Sequence, residues 1–325
     1  MRVSGRRCSS PHRRSRSAVA PTRSSATSSA SVCSDCPWSP VLTPTVHGTS
    51  FRTDRGVLNT GDGVTEGPVL LDIDASGLAR LTLNRPDAAN SINLDLARAL
   101  AEKARDLEES DTVRAVLFTG RGNRFCGGGD VKAFASEGEL SEGLSEIVAR
   151  LHEAIESFAR LDAPIVAAVQ GSAAGAGLSL VALSDLVVAA ESTKFVMAYT
   201  AIGLTPDGGS TWFLPRVIGL RRAVELSLTN RALSAQEACE WGLVTKVVAD
   251  AAVTQEAETL AMQLATGPTK SYGVSKRLLR DAIGASLHDQ LEREEAELLS
   301  AGRRHDALEG VAAFAEKREA KFTNK

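Results

Sequence analysis

Two short apolar segments each run into a glycine-rich loop, and this pairing constrains the fold more than any other feature of the chain. Residues 113–119 lead to FCGGGD (125–130), and residues 165–169 lead to GSAAGAG (171–177). Short, nearly continuous apolar runs are typical of strands buried on both faces of a parallel sheet. A helical pattern follows each loop, so the sequence predicts strand–loop–helix units within an α/β fold.

The flanking segments extend this pattern. Ala79, Leu81 and Leu83 alternate with polar residues, which predicts a strand over 78–84 that pairs with another over 69–74. Apolar residues at helical spacing predict a helix from 93 to 109, and residues 186–190 predict a further buried strand. From residue 221 onward the pattern is helical, with no further sheet expected. We therefore expect a core over 67–220 and a helical C-terminal part over 221–325.

The first 66 residues have a different composition, and we expect them to be disordered. Residues 1–60 hold nine Arg, no Lys and two acids, with many Ser, Thr and Pro. Such a segment buries too little apolar surface to offset its ordering entropy. It resembles a transit peptide, or sequence upstream of the natural start; the lack of an amphipathic period favours the second. We expect residues 1–60 to be dispensable for folding and activity.

Charge and cysteine usage restrict the classes of partner and compartment. The net charge is −3 and the basic residues of the N-terminal segment leave the remainder acidic, which argues against nucleic acid as a partner. No apolar run approaches the length of a membrane span, so no membrane partner is expected. Cys33 and Cys36 have metal-ligand spacing but no second pair nearby, so we expect no metal site. The scattered cysteines favour a reducing, cytoplasmic location.

The two glycine-rich loops are the candidate chemical feature. Glycine allows close approach of a ligand to the main chain, and helix N-termini expose unpaired N–H groups, so two such loops could direct two donors at one oxyanion. The loops lack the Gly-Lys-Ser/Thr of a phosphate-binding loop and the third glycine of the dinucleotide fingerprint. Val181 stands where a hydrolase nucleophile elbow around Ser179 would need glycine. From these residues alone, glycines that merely permit tight packing remain an equal alternative.

A set of motifs in fixed order resembles the enoyl-CoA hydratase/isomerase (crotonase) family over about residues 67–323. The motifs are LNRP (83–86) with Asn90, FCGGGD (125–130), PIVAAVQG (164–171), GAG (175–177), Asp185, IGLTPDGG (202–209) and EGVAAFAEKR (309–318). The resemblance implies a crotonase fold of repeated ββα units with a helical C-terminal extension, assembled as homotrimers or hexamers. It also implies an acyl-CoA substrate, with coenzyme A as part of that substrate and no separate cofactor.

The resemblance also assigns residues to roles. It implies that the N–H groups of Gly129 and Ala176 hold the thioester oxygen. The implied coenzyme A contacts are Ala89, Gly127, Asp130, Phe314 and Lys317, with Arg318 as a further cation beside the phosphates.

Two positions depart from the family's hydratases. Ser179 and Tyr199 stand where those hydratases carry glutamates, and neither is a carboxylate that could handle water. Asp207 matches the single carboxylate of several isomerases, although Pro-Asp-Gly is also a strong turn signal. Asp207 and His152 likewise match site residues of 4-chlorobenzoyl-CoA dehalogenase, although His152 could equally be a structural residue on its helix.

These residues predict an isomerase that transfers a proton through an oxyanion-stabilised enolate, with Asp207 as base and His152, Ser179 and Tyr199 around the substrate. Three alternatives stay open. The first is a hydratase with displaced acid and base groups. The second is an aroyl-CoA dehalogenase or thioesterase that uses Asp207 as nucleophile. The third is a non-catalytic binding protein of the same fold.

Overall fold

The computed structural model describes residues 66–135 and 140–324, which form a six-stranded sheet, a smaller three-stranded sheet and eleven α-helices. The strands are β1 (Val69–Ile73), β2 (Leu78–Leu83), β3 (Ala115–Gly120), β4 (Ile165–Val169), β5 (Ser172–Ala174), β6 (Leu186–Ala190), β7 (Lys194–Val196), β8 (Leu233–Ser234) and β9 (Lys246–Val248). The helices are α1 (Leu94–Glu109), α2 (Val131–Ala135), α3 (Leu140–Arg160), α4 (Ala176–Leu183), α5 (Ser210–Ile218), α6 (Leu220–Thr229), α7 (Ala235–Glu240), α8 (Val253–Ala265), α9 (Thr269–Asp281), α10 (Leu287–Ala301) and α11 (His305–Glu316). The extension that we expect to be disordered, residues 1–66, lies outside the described residues except for Glu66.

The main sheet has the strand order β1-β2-β3-β4-β6-β9. β1 runs antiparallel to β2, and the other neighbouring pairs are parallel. The smaller sheet has the order β5-β7-β8, in which β5 and β7 are parallel and β8 is antiparallel to β7. The crotonase-type α/β architecture that the resemblance implied is therefore confirmed, and the strands predicted over 165–169 and 186–190 have those bounds.

The main sheet is covered on both faces, which explains its uninterrupted apolar strands. Val116 and Phe118 of β3 belong to a large buried cluster that includes the apolar faces of α1 and α3. The alternate residues Ala115 and Leu117 belong to a second cluster formed with α8. Because successive side chains of a strand point to opposite faces, both layers require apolar residues.

Helix α1 begins where the sequence predicted. The Asn93 side chain accepts a hydrogen bond from the Leu96 N–H at 3.0 Å, which caps the first turn. The apolar positions that repeat at helical spacing, such as Leu100 and Leu107, are fully buried. The 3.6-residue period therefore identifies the face that α1 packs against the sheet.

The C-terminal part differs from the sequence-based expectation in one respect. Residues after 221 contribute not only helices but also β8 and β9, and β9 pairs with β6 at the edge of the main sheet. An edge strand needs only one neighbour, and three residues are too few to show a strand period within an Ala- and Glu-rich stretch. The division between residues 67–220 and 221–325 remains a prediction.

Candidate active site

The main chain brings the two glycine-rich loops side by side. They follow β3 and β4, which are adjacent and parallel, so both loops leave the same edge of the sheet. Cys126 pairs with β5: its N–H donates to Ser172 O at 3.2 Å, and its C=O accepts from the Ala174 N–H at 3.0 Å. Burial raises the pKa of the Cys126 thiol to about 12, so this residue stays neutral and structural.

The N–H groups of Gly129 and Ala176 are both available to a ligand. Gly129 forms an isolated β-bridge with Ile92, and the hydrogen bonds of this bridge are made by the residues on either side of Gly129. The Ile92 N–H donates to Gly128 O, and the Asp130 N–H donates to Ile92 O. Ala176 is the first residue of α4, where an N–H has no partner within the helix. Among the described residues neither N–H has a hydrogen-bond acceptor, and both residues line the same cavity. That the two groups converge on one point about 3 Å from each stays a prediction.

Gly128 permits the close approach of the two loops. Its φ of 94° lies in the left-handed region, and a Cβ there would be 2.8 Å from Ala174 O. A side chain at this position would therefore push the loops apart.

The shared cavity has a volume of about 330 Å³ and a largely apolar wall. One side of α3 and the segment before Asp207 supply most of this wall. The apolar lining residues are Ile92, Val131, Leu144, Ile147, Val148, Leu151, Ala198, Ile202, Leu204 and Pro206. An acyl group fits such a surface, with a few polar groups placed to act on it.

Asp207 is the one carboxylate among the described residues that line this cavity. Its Oδ1 lies 2.6 Å from Nε2 of His152, which projects from α3 and is about half exposed. Its main-chain oxygen accepts hydrogen bonds from the hydroxyls of Ser179 at 2.8 Å and Ser210 at 2.9 Å. The turn and the site carboxylate are thus not alternatives for Asp207, because the Pro-Asp-Gly turn places this residue at the cavity.

Ser179 and Tyr199 are the residues that the resemblance matches to the glutamates of the family's hydratases. Ser179 lies on α4 and is fully buried. Its Oγ is 3.5 Å from the Tyr199 hydroxyl, whose oxygen thus stands beside the Asp207 turn. Burial raises the pKa of Tyr199, so the phenol stays protonated at neutral pH. Neither residue supplies a second carboxylate to the cavity.

A second, open cavity meets the first at Gly129 and Val131, which line both. It is bordered by Ala89, Asp130, Arg124 and Lys132, among others. Neither Arg124 nor Lys132 forms an ion pair within the described part of the chain. Two cations without an ion-pair partner in the described residues, at a groove that opens beside the candidate oxyanion site, suit a phosphate-bearing ligand.

Asp130 and Ala89 form part of the groove wall, and the Asp130 carboxylate and the Ala89 C=O are already bonded within the protein. The Asp130 carboxylate pairs with Arg85 at 3.2 Å and accepts from the Ala133 N–H at 3.3 Å. The Ala89 C=O accepts from the Gly127 N–H at 2.9 Å. Sequence reasoning missed Arg124 and Lys132; their signal was basic residues on either side of FCGGGD.

Phe314 and Lys317 lie apart from both cavities. Phe314 is on α11 with 78% of its surface exposed, and Lys317 follows the last turn of that helix. In the single chain, neither residue lines the cavity shared by Gly129 and Ala176 or the neighbouring groove. Arg318, a further expected phosphate contact, is engaged by Glu309 at 2.7 Å and Glu316 at 2.6 Å. The roles of Phe314 and Lys317 in coenzyme A binding remain predictions.

Comparison with known proteins identifies the family. The model of the enoyl-CoA hydratase/isomerase family matches residues 74–325. The chain belongs to this family. It is 41% identical over 251 residues to 1,2-epoxyphenylacetyl-CoA isomerase of Escherichia coli K12, covering 77% of this chain and 96% of that protein. It is 34% identical over 245 residues to 4-chlorobenzoyl coenzyme A dehalogenase-2 of Arthrobacter sp, covering 74% and 88%.

Solved structures agree with this assignment. An enoyl-CoA hydratase of Mycobacterium smegmatis superposes with a TM-score of 0.74 at 33% identity, covering 79% of this chain and 99% of that chain. The resemblance in sequence motifs is thus confirmed, and the chain is a crotonase-family enzyme of the acyl-CoA hydratase/isomerase type.

Residues 66–135 and 140–324 show neither a membrane-spanning helix nor a metal-binding cluster. No helix in these ranges is both long and apolar enough to cross a membrane. No cluster of three His, Cys, Asp or Glu side chains in them has the arrangement of a metal site. The cytoplasmic location stays a prediction.

Proposed function

We propose that the chain is an acyl-CoA isomerase that shifts a double bond, or rearranges a ring-derived acyl group, by moving one proton. The observation that carries the proposal is the placement of Asp207 as the one carboxylate among the described lining residues of the cavity that also contains Gly129 and Ala176. The 1,2-epoxyphenylacetyl-CoA isomerase relative supports an isomerase over a hydratase.

The reaction follows from these three groups. Asp207 removes a proton from a carbon near the thioester, and the electron pair moves to the carbonyl oxygen. The N–H groups of Gly129 and Ala176 donate to the resulting enolate oxygen, which lowers the energy of the charged intermediate. The carboxylic acid then returns the same proton to another carbon of the acyl group, and the carbonyl re-forms. One carboxylate suffices because the proton is moved and not consumed.

The neighbouring groove would hold the coenzyme A part of the substrate. Arg124 and Lys132 border it and would attract the phosphates, while Ala89 and Asp130 fix its wall. In this proposal coenzyme A enters and leaves with the acyl group, and no separate cofactor is needed.

A specific observation favours a second candidate, an aroyl-CoA dehalogenase. The 2.6 Å contact between His152 and Asp207 places a base beside a carboxylate that could attack an aromatic carbon. The attack would expel the ring halide as its ion and leave an aryl ester of Asp207, and His152 could then activate the water that hydrolyses this ester. The dehalogenase relative at 34% identity supports this candidate, although Tyr199 stands where the dehalogenase has Trp.

We also propose that the active species is a homo-oligomer, a trimer or hexamer. Helices α9, α10 and α11, with the short turn between α9 and α10, expose many large apolar side chains to solvent in the single chain. These are Leu279, Ile283, Leu287, Leu291, Leu298, Leu308, Val311 and Phe314, each more than half exposed. Apolar surface of this extent is typical of a face that is covered in an assembly. Light scattering of the purified protein would report the mass directly.

Deuterium exchange with a panel of enoyl- and aroyl-CoA thioesters distinguishes the candidates. Isomerisation transfers or exchanges an acyl-chain proton, whereas aromatic substitution does not. Asp207→Asn should lower kcat by about 10²- to 10⁴-fold, because it removes the general base. The exposed Asp111, which lies outside both cavities, provides the control Asp111→Asn with wild-type kcat. Isomerisation and exchange that survive Asp207→Asn would refute the assignment.

A further inference from the structure

Helix α4 connects the proposed oxyanion donor to the proposed base. Ala176 is its first residue, and Ser179 follows about one turn later, which places Ser179 about 4.5 Å along the helix axis. All eight residues of α4 are buried. A fully packed helix of this kind is a rigid support, because its neighbours leave no space for it to shift.

The Ser179 hydroxyl makes its best hydrogen bond to the turn that carries Asp207. Its Oγ is 2.8 Å from Asp207 O, whereas Gly175 O lies at 3.4 Å and the Tyr199 hydroxyl at 3.5 Å. A hydroxyl has one proton to donate, and the shortest contact takes it. The turn also packs closely on this residue, since a Cβ on Gly208 would be 3.0 Å from the Ser179 Cβ.

The other hydrogen bonds at Asp207 do not replace this connection. The Ser210 hydroxyl and N–H bond the same main-chain oxygen, but Ser210 is three residues away and belongs to the same segment. His152 bonds the carboxylate itself and is half exposed on α3. Among the described residues, Ser179 therefore supplies the hydrogen bond that fixes the Asp207 main chain to α4.

We propose that Ser179 is a positioning residue that holds the Asp207 carboxylate at a fixed distance from the Ala176 donor. This inference rests on the proposed function, because it assigns Asp207 the role of base. Ser179 does not touch the reacting carbons. It acts through the main chain of Asp207, so that the carboxylate meets the acyl carbon while the oxyanion is held by the first N–H of the same helix.

The test is the split between kcat and KM in Ser179→Ala. A carboxylate displaced by a fraction of an ångström should lower kcat by about ten- to a hundredfold. KM should stay within about threefold, since the groove and the N–H donors are untouched. Ser184→Ala is the matched control, because Ser184 directly follows α4 and, among the described residues, its hydroxyl bonds only Leu180 O of that helix, at 2.9 Å. The control should retain the wild-type kcat.

Solvent deuterium distinguishes positioning from a loss of folded protein. If part of the Ser179→Ala protein were merely unfolded, kcat would fall but each turnover would incorporate the same amount of deuterium. A displaced carboxylic acid waits longer before it returns its proton and exchanges more with solvent. We therefore expect a higher deuterium content per turnover in the variant, at equal substrate conversion.

The outcomes separate this inference from the proposed function. Wild-type kcat and wild-type deuterium content in Ser179→Ala, beside an inactive Asp207→Asn, would overturn the positioning role and leave the isomerase intact. Full activity of Asp207→Asn would overturn both. If Ser179→Ala fails to fold, Ser179→Cys keeps the volume with a weaker donor. An intermediate kcat in the folded Cys variant supports the role, and a wild-type kcat overturns it.

Discussion

A methyl group added at Gly177 should separate the two loops that form the candidate oxyanion site. Gly177 follows Ala176 in the first turn of α4. A Cβ at this position would lie 2.5 Å from Cys126 O and 2.8 Å from the Cys126 Cβ. Cys126 O cannot easily retreat, because it already accepts the Ala174 N–H at 3.0 Å.

The size of the effect follows from these distances. Ordinary contact would require the two backbones to move apart by about 1 Å, because well-packed heavy atoms are separated by about 3.5 Å and Cys126 O would lie at 2.5 Å. Overpacking of this kind costs about 1–3 kcal/mol, equivalent to a fall of about 2–12 °C in the thermal midpoint. A shift of about 1 Å between Gly129 and Ala176 should also lower kcat by up to about a hundredfold.

The assay compares Gly177→Ala with Gly302→Ala by thermal unfolding and by acyl-CoA turnover. Gly302 has a φ of −60°, and a Cβ there would meet nothing closer than 3.6 Å, so the control should keep its stability and its kcat. An unchanged melting temperature in Gly177→Ala would refute the packing argument. A lowered melting temperature with wild-type kcat would show that the spacing of the loops does not matter for the chemistry.

Three more predictions concern single groups. Ala176→Pro should lower kcat by at least about a hundredfold with the fold retained, because proline is tolerated at the first position of a helix but lacks the N–H donor; circular dichroism and turnover test both parts. Tyr199→Phe should leave the pH profile of kcat unchanged between about pH 6 and 9, because burial raises the pKa of a phenol that is already protonated there; a missing alkaline limb in the variant would contradict this. Arg318 lowers the pKa of Glu309 to about 2, so the ion pair contributes stability above the usual carboxyl pKa, and this contribution is lost as the pH falls towards 2. Glu309→Gln should therefore lower the melting temperature at pH 7 and converge with the wild type in acid.

Much of the fold could be predicted from the sequence because its signals are local. The strands over 165–169 and 186–190 are continuous apolar runs, and their burial on both faces of the sheet explains that composition. The apolar period predicted the start of α1 near residue 93, and the structure places Asn93 there as its side-chain cap. β9 was missed because its three residues are a strand only through pairing with β6, which no local pattern records.

The sequence could predict which types of residue form the candidate site, but it could not predict which side chains contact one another there. Glycine-rich loops after buried strands predicted exposed N–H groups, and the structure leaves those of Gly129 and Ala176 without acceptors in the described residues. The contact between His152 and Asp207 joins positions 55 residues apart, and only the folded chain brings them to 2.6 Å. Arg124 and Lys132 have no ion-pair partner among the described residues, and a sequence does not show which acids lie within reach of a cation.

The length of the side chain at position 179 determines whether helix α4 can supply a carboxylate to the cavity. A carboxylate on a long side chain could extend from α4 into the cavity and act on water. Ser179 is too short to do so, and its hydroxyl bonds the adjacent main chain of Asp207 at 2.8 Å. The cavity then contains one carboxylate among its described lining residues, with the protonated Tyr199 as a neighbour. A cavity with one carboxylate lacks the pair of carboxylates that the resemblance assigns to the handling of water in the family's hydratases. That carboxylate can return a proton that it has just removed, and this supports the isomerase function that we propose.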